Sequence, residues 1–292
     1  MKTKAAPWQK MKTNLKLGLR TLDEKNWLPF EDFFGNTAAR SHQLATKFDL
    51  FNSRYEEVFA TLPSANAASN EVLEMVEAHL HAYHPKYSRN TELSLHPLET
   101  AARLIPEDLL LIEPRQSKSN KSSYQPEWCL AAGALCFPAH WKLKEKMDKA
   151  LAIIHKPVPD YEKILANPVN RLFTNMRIGP ISTRVNWSLQ FGDALFMPVR
   201  SHAKKQTACK AGGQIYVRIE NQTLRKLPKT GHVLFTIRTH LAPVTNWSKS
   251  SGAIEELLFL LENMPNKMRR YKGADIYEKS LRKILADNQY NV

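Results

Sequence analysis

The sequence predicts an α+β protein. Apolar residues recur at spacings of three and four between 36 and 83, the period of amphipathic helices. From residue 181 to 241 the pattern changes to strict alternation, the period of half-buried strands. Two further helical stretches, 253–263 and 275–288, close the chain. The 292 residues, 43% of them hydrophobic, can bury a sizeable core, and the 24% charged content is that of a globular chain. Residues 1–35 read as a lead-in segment and 36–292 as a single domain.

Each element has its own signal. In 36–62, Leu44, Phe48, Phe51, Tyr55, Val58 and Phe59 mark one helix face, and the segment 63–69 (PSANAAS) marks a turn. A second helix over 70–83 buries Val72, Leu73, Val76 and Leu80, with Asn70 as its expected N-cap. Residues 96–114 predict a helix broken near Pro106, then a short strand at Leu109–Ile112. The polar stretch 115–126 predicts a loop. The apolar run 128–137 (WCLAAGALCF) suits a strand or a buried helix equally, because periodicity does not separate the two. A helix is expected over 160–176 and a strand over 181–191. The segments 214–227 and 231–241 form a hairpin through Pro228, Lys229 and Thr230. Alternation within each strand predicts one apolar face (Ile215, Val217, Ile219 with Val233, Phe235, Ile237). The other face is then rich in Arg, Glu and His (Arg218, Glu220 with Arg238, His240).

Composition narrows the partners. The net charge of +14 favours anionic groups, but the basic residues are spread over several segments. No helix-turn-helix, zinc-knuckle or ribonucleoprotein motif accompanies them, so no nucleic-acid partner is expected. Three cysteines, Cys129, Cys136 and Cys209, are too few and odd in number for a disulfide framework. No apolar stretch follows the basic first residues, and no run of eighteen apolar residues occurs. A cytoplasmic protein without a membrane span is therefore expected.

The most informative stretch is 128–161, where an apolar run leads to a lone histidine, His155, followed at once by Pro-Val-Pro. An imidazole fixed at the end of an apolar segment serves as a metal or haem ligand, or as a structural histidine. His79, His81 and His84 do not share one helix face, so they read as a surface run. The chain has no CxxCH, no GxGxxG and no cluster-type cysteine spacing. It therefore carries no covalent c-type haem, nicotinamide site or iron–sulfur centre of its own.

Six blocks, in order, carry a resemblance: KLGLRTLDEKNWL, HPLETAARLIPEDLLLIE, WCLAAGALCFPAHW, IHKPVPDYEKILANPVNRLF, RVNWS and RIENQTLRKLPKTGHVLFTIRTHL. Over about residues 16–241 the chain resembles the haem-dependent oxidative N-demethylase alpha-subunit-like family. The resemblance implies a PAS-like antiparallel sheet with flanking helices, holding haem b without covalent attachment. It implies oxidative removal of a methyl group from a small, dimethylamine-like secondary amine, using O2 and releasing formaldehyde. Electrons come from a separate reductase subunit that carries NADPH, flavin and iron–sulfur sites. His140 stands where the family more often has a small residue.

With haem implied, His155 is the expected iron ligand, with His96, His140, His232 and His240 behind it. Arg184, Arg218, Arg225 and Arg238 are the candidates to meet the propionates, because guanidinium pairs with carboxylate, and Asn186 and Trp187 are expected to shape the pocket. A cationic amine needs a carboxylate to bind it or take its proton. Glu220, two residues from Arg218 on one strand face, is expected to fill that role with it. Two other classes remain in view: a non-catalytic haem- or ligand-binding PAS-like sensor, and a basic module that binds polyanions.

Overall fold

A computed structural model describes residues 5–9, 17–33, 35–85, 95–116, 126–200, 207, 213–248, 250 and 252–289. Among these the chain is α+β, built on a seven-stranded antiparallel sheet. The strands are β1 (Arg20–Leu22), β2 (Phe59–Thr61), β3 (Asp108–Arg115), β4 (Glu127–Ala134), β5 (Ile181–Phe191), β6 (Ile215–Lys226) and β7 (Val233–Pro243). Their order across the sheet is β1-β5-β6-β7-β3-β4-β2. The helices are α1 (Ala38–Ser53), α2 (Tyr55–Val58), α3 (Asn66–Tyr83), α4 (Pro97–Leu104), α5 (Leu151–Ile154), α6 (Tyr161–Ile164) and α7 (Ala166–Thr174). After the sheet come α8 (Ala253–Glu262), α9 (Asn266–Lys272) and α10 (Ala274–Gln289).

Helices cover both faces of the sheet. On the back face, Leu109, Leu111 and Leu234 pack with Phe51, Val72 and Leu98 of α1, α3 and α4. Further along the same face, Trp187, Val217 and Ile219 pack against Ile254 and Leu257 of α8 and Tyr277 of α10. The front face is covered by the chain between β4 and β5. There Leu110, Leu130, Leu224 and Ile237 meet Leu143 and Phe173.

Several sequence expectations change. The helix expected over 36–62 stops at Ser53, turns once more as α2, and becomes β2 at Phe59. Phe59 pairs with Ala134, so an open sheet edge overrides local helical periodicity. The next helix begins at Asn66, and Asn70 lies inside it, donating to the carbonyl of Asn66 rather than capping the helix. The run 128–137 is resolved as strand through Ala134. The break near Pro106 and the turn at 228–230 stand as expected. The expected helix over 160–176 is two short helices divided at Leu165. Most of the predicted loop 115–126, and Cys209, lie outside the described residues.

The faces of the β6–β7 hairpin need the main correction. The register pairs Gln222 with Ile237 and Glu220 with Thr239, while Asn221 pairs with Arg238 and Ile219 with His240. Paired residues share a face. Arg218, Glu220 and Gln222 therefore lie in front with Phe235 and Ile237, and Arg238 and His240 lie behind with Val217 and Ile219. Both faces are mixed. Alternation within one strand does not reveal which rows of two strands are brought together.

Candidate functional site

The front-face site starts from His155. It ends α5, where its backbone N–H donates to the carbonyl of Leu151 at 3.0 Å. Its ring Nδ1 lies 2.8 Å from the same oxygen. A carbonyl only accepts, so Nδ1 carries the proton and Nε2 keeps the lone pair. The ring stacks on Tyr161, with centroids 4.6 Å apart and planes within 12°. Tyr161 opens α6 directly after Asp160, whose φ of 58° makes the tight turn that folds the tyrosine back. Burial pushes the His155 pKa below the usual imidazole value. The bond to Leu151 opposes this, and the charges of Lys146 and Arg184 reinforce it. His155 is thus a neutral imidazole near pH 7, with a fixed tautomer.

Strands β5 and β6 supply the polar side. Their register sets Arg184 beside Gln222, Asn186 beside Glu220 and Ser188 beside Arg218. The carboxylate of Glu220 is enclosed. Asn186 Nδ2 donates to its Oε2 at 3.1 Å, Gln222 Nε2 donates to the same oxygen at 3.0 Å, and Arg218 Nε reaches Oε1 at 3.3 Å. Arg218 also donates through Nη1 to the carbonyl of Leu195 at 3.2 Å, and through Nη2 to the carbonyl of Phe137. It is almost completely buried. Those bonds tie two connecting segments to the strand and hold the carboxylate between them.

Two more cations surround this carboxylate. Burial pushes the Arg184 pKa down, and Glu220 pulls it back up. Half-buried Lys272, the last residue of α9, lies 3.4 Å from the carbonyl of Trp187 and above that indole at 4.8 Å. Burial lowers its pKa to about 8; Glu220 opposes the shift and Arg184 adds to it. Lys272 and the stacking role of Tyr161 have no signal in the sequence, and alternation sets Gln222 on the face of Arg218 and Glu220 without giving it a role. Lys272 sits in a basic run that looks solvated, and only the tertiary fold brings α9 to the edge of β5.

The remaining candidates divide by face. Arg184, Asn186, Arg218 and Glu220 share the front face, and His155 lies within electrostatic reach of Arg184. Arg225 and Arg238 are on the back. Arg225 pairs with Glu24 at 2.9 Å and covers the Trp27 ring at 4.3 Å, and Arg238 lies 3.6 Å from Glu107. Trp187 points its indole into the back-face core against Trp8. His96 Nδ1 accepts from the N–H of Leu98 at the start of α4. His232 lies 3.7 Å from Glu113, and His240 Nδ1 accepts from the N–H of Phe33. His140 has a φ of 65° and approaches the carbonyl of Val199 at 3.3 Å. The surface run expected at His79, His81 and His84 is corrected in part: His79 is buried against Trp27 with its ring 5.9 Å from that of His84, while His81 is exposed. Cys129 and Cys136 are buried free thiols, and no group of three His, Cys, Asp or Glu among the described residues is placed to hold a metal ion. No helix among them is long and apolar enough to cross a membrane.

The front-face set fits an iron porphyrin by its donors. It offers one imidazole nitrogen with a free lone pair, the Leu151 carbonyl as acceptor for the other nitrogen, and cations for carboxylate side arms. The sequence model of haem-dependent oxidative N-demethylase, alpha subunit-like proteins matches residues 18–282. With nearly the whole chain matched and this donor set on its sheet, the protein belongs to the haem-dependent oxidative N-demethylase alpha-subunit-like family.

Proposed function

We propose that the chain binds haem b on the front face of the sheet and removes a methyl group oxidatively from a small, dimethylamine-like secondary amine. The observation that carries this reading is His155, neutral and held by Leu151 in the tautomer that leaves Nε2 for iron. The strand order supports a PAS-like reading of the fold. The five central strands run β4-β3-β7-β6-β5, and the segment over their front face connects the second of them in sequence, β4, to the third, β5.

In this assignment His155 Nε2 would hold the iron, and Arg184 and Asn186 would meet the cofactor from the strand side, with Lys272 as a further cation. Arg225 and Arg238, behind the sheet, stay outside it. Haem supplies the activation of oxygen when bound. The balance is one secondary amine, one O2, two electrons and two protons giving a primary amine, formaldehyde and water. The electrons come from a separate reductase bearing NADPH, flavin and iron–sulfur sites. The chain's own part is to bind and orient the amine. Glu220 attracts the ammonium and accepts its proton at Oε1 or Oε2, exposing the nitrogen lone pair. Asn186, Gln222 and Arg218 keep the carboxylate in place through the exchange. The cytoplasm, which keeps thiols reduced, suits the buried free cysteines.

The test is the absorption spectrum of the full chain purified from haem-supplemented cells, followed by formaldehyde release from dimethylamine under reducing conditions. A Soret band that is lost or shifted in His155→Ala, together with amine-dependent formaldehyde, is the expected result. A colourless wild type overturns the haem assignment. Haem binding without turnover replaces the enzyme with a sensor.

A further inference from the structure

Behind the sheet lies a cavity of about 220 Å3 that none of the proposed haem-site residues lines. Trp27, Glu107, Thr183, Asn221 and Arg238 are among its walls. Arg238 and Glu107 are each 2% exposed. They stand 3.6 Å apart, an ion pair without a hydrogen bond. All three nitrogens of the Arg238 guanidinium, both carboxylate oxygens of Glu107 and the indole Nε1 of Trp27 have no hydrogen-bond partner among the described residues.

Buried charges are costly when their donors and acceptors are unmet, and folded proteins almost always satisfy them. Here the unmet groups gather around one space. Its occupant must accept from Arg238 and Trp27 and donate to Glu107. Arg238 and Glu107 cancel, as do Lys47 and Asp108 behind them, so the occupant carries no net charge. The volume falls below the ~300–1,000 Å3 of pockets for drug-sized ligands, so only a few heavy atoms fit.

We propose that this cavity is a second ligand site for a small neutral amide. Its carbonyl oxygen is received by Arg238 and its N–H by Glu107. Lys47 sets the geometry from behind, donating to the backbone carbonyls of Ile105 at 3.0 Å and Glu107 at 2.6 Å, which fixes the turn that carries the carboxylate.

The test is titration of the 15N-labelled full chain with acetamide, reading the Trp27 indole N–H resonance, identified as the signal missing from Trp27→Phe. Saturable movement is expected. Acetone, which has the shape and the acceptor but no donor, should bind at least about tenfold more weakly, the effect of one lost charge-assisted hydrogen bond. Thr183→Leu, which fills the cavity from its wall, should weaken acetamide by a similar factor and leave a haem spectrum unchanged. Movement that never saturates, an equal response to acetone, or an undiminished response in Thr183→Leu overturns the proposal and leaves a cavity filled by water.

Discussion

A backbone carbonyl decides which nitrogen of His155 is available, and burial decides that the ring is neutral. The sign of the resulting pH effect follows. The folded state lowers the His155 pKa, so the unfolded chain binds its proton more readily. The associated stability is present above about pH 6.5 and is lost as pH falls below it, through the unfolded and then the folded value. Urea midpoints of haem-free protein between pH 5 and 8 should fall on the acid side, and less steeply in His155→Ala. At Glu220 the prediction concerns rate. Glu220→Gln keeps the size but not the basicity: its amide oxygen still accepts from Asn186 and Gln222, and the bond from Arg218 is lost. It should cut amine turnover by about 10²–10⁴-fold, as loss of a general base does, with the Soret band in place. The sequence exposed part of this site. His155 was visible as an imidazole closing an apolar run, and Arg184, Asn186 and Glu220 as polar residues on strands. Gln222 and Lys272 were not distinguishable, because what selects them is register and the docking of α9.

At the scale of elements, the strands and the hairpin were legible because each carries a period of two bounded by turn residues. The short edge strand β2 was not, because Phe59 continues a helical pattern until Ala134 offers it a backbone partner. The arrangement of the two hairpin rows was also hidden, since it depends on pairing rather than pattern. One long-range clamp makes the hairpin testable. Glu71 of α3, 3% exposed, accepts from the backbone N–H groups of Lys229 and Thr230 at 2.6 and 3.0 Å and from the Thr230 hydroxyl at 2.8 Å. It closes the β6–β7 turn onto a helix more than 150 residues away in sequence. Glu71→Ala removes three bonds from half-buried or exposed donors to one buried carboxylate and should destabilise the fold by about 1–3 kcal/mol in denaturant titration. A loss within about 0.5 kcal/mol, the range of ordinary surface substitutions, would show that the turn holds itself. Gly133 gives a second check on packing. A Cβ there would stand 2.6 Å from Leu143 and 2.8 Å from Leu110, so Gly133→Ala should cost about 1–3 kcal/mol as the two leucines shift.

Across the whole molecule, the sheet is a partition. In front, the chain between β4 and β5 brings His155, stacked on Tyr161, within electrostatic reach of Arg184, and α9 sets Lys272 at the β5 edge over the Trp187 indole. Behind, the segment 22–29 and Glu107 line the small cavity beside Arg238, and Glu24 and Trp27 cover Arg225. Sequence alone could not divide the arginines in this way, because all four lie on β-strands with the same local texture. The division makes opposite predictions for similar substitutions. If the porphyrin lies in front, Arg184→Ala removes a charge-assisted contact to a propionate and should weaken haem binding about tenfold, the effect of one such hydrogen bond. Arg225→Ala breaks its pair with Glu24 and its contact with Trp27 on the far side, and should leave haem affinity and the Soret maximum unchanged. Haem titration of the two variants in parallel, with circular dichroism to confirm folding, decides the matter. Weakening in Arg225→Ala but not in Arg184→Ala would move the cofactor to the back of the sheet, and His155 would lose its role as ligand with it.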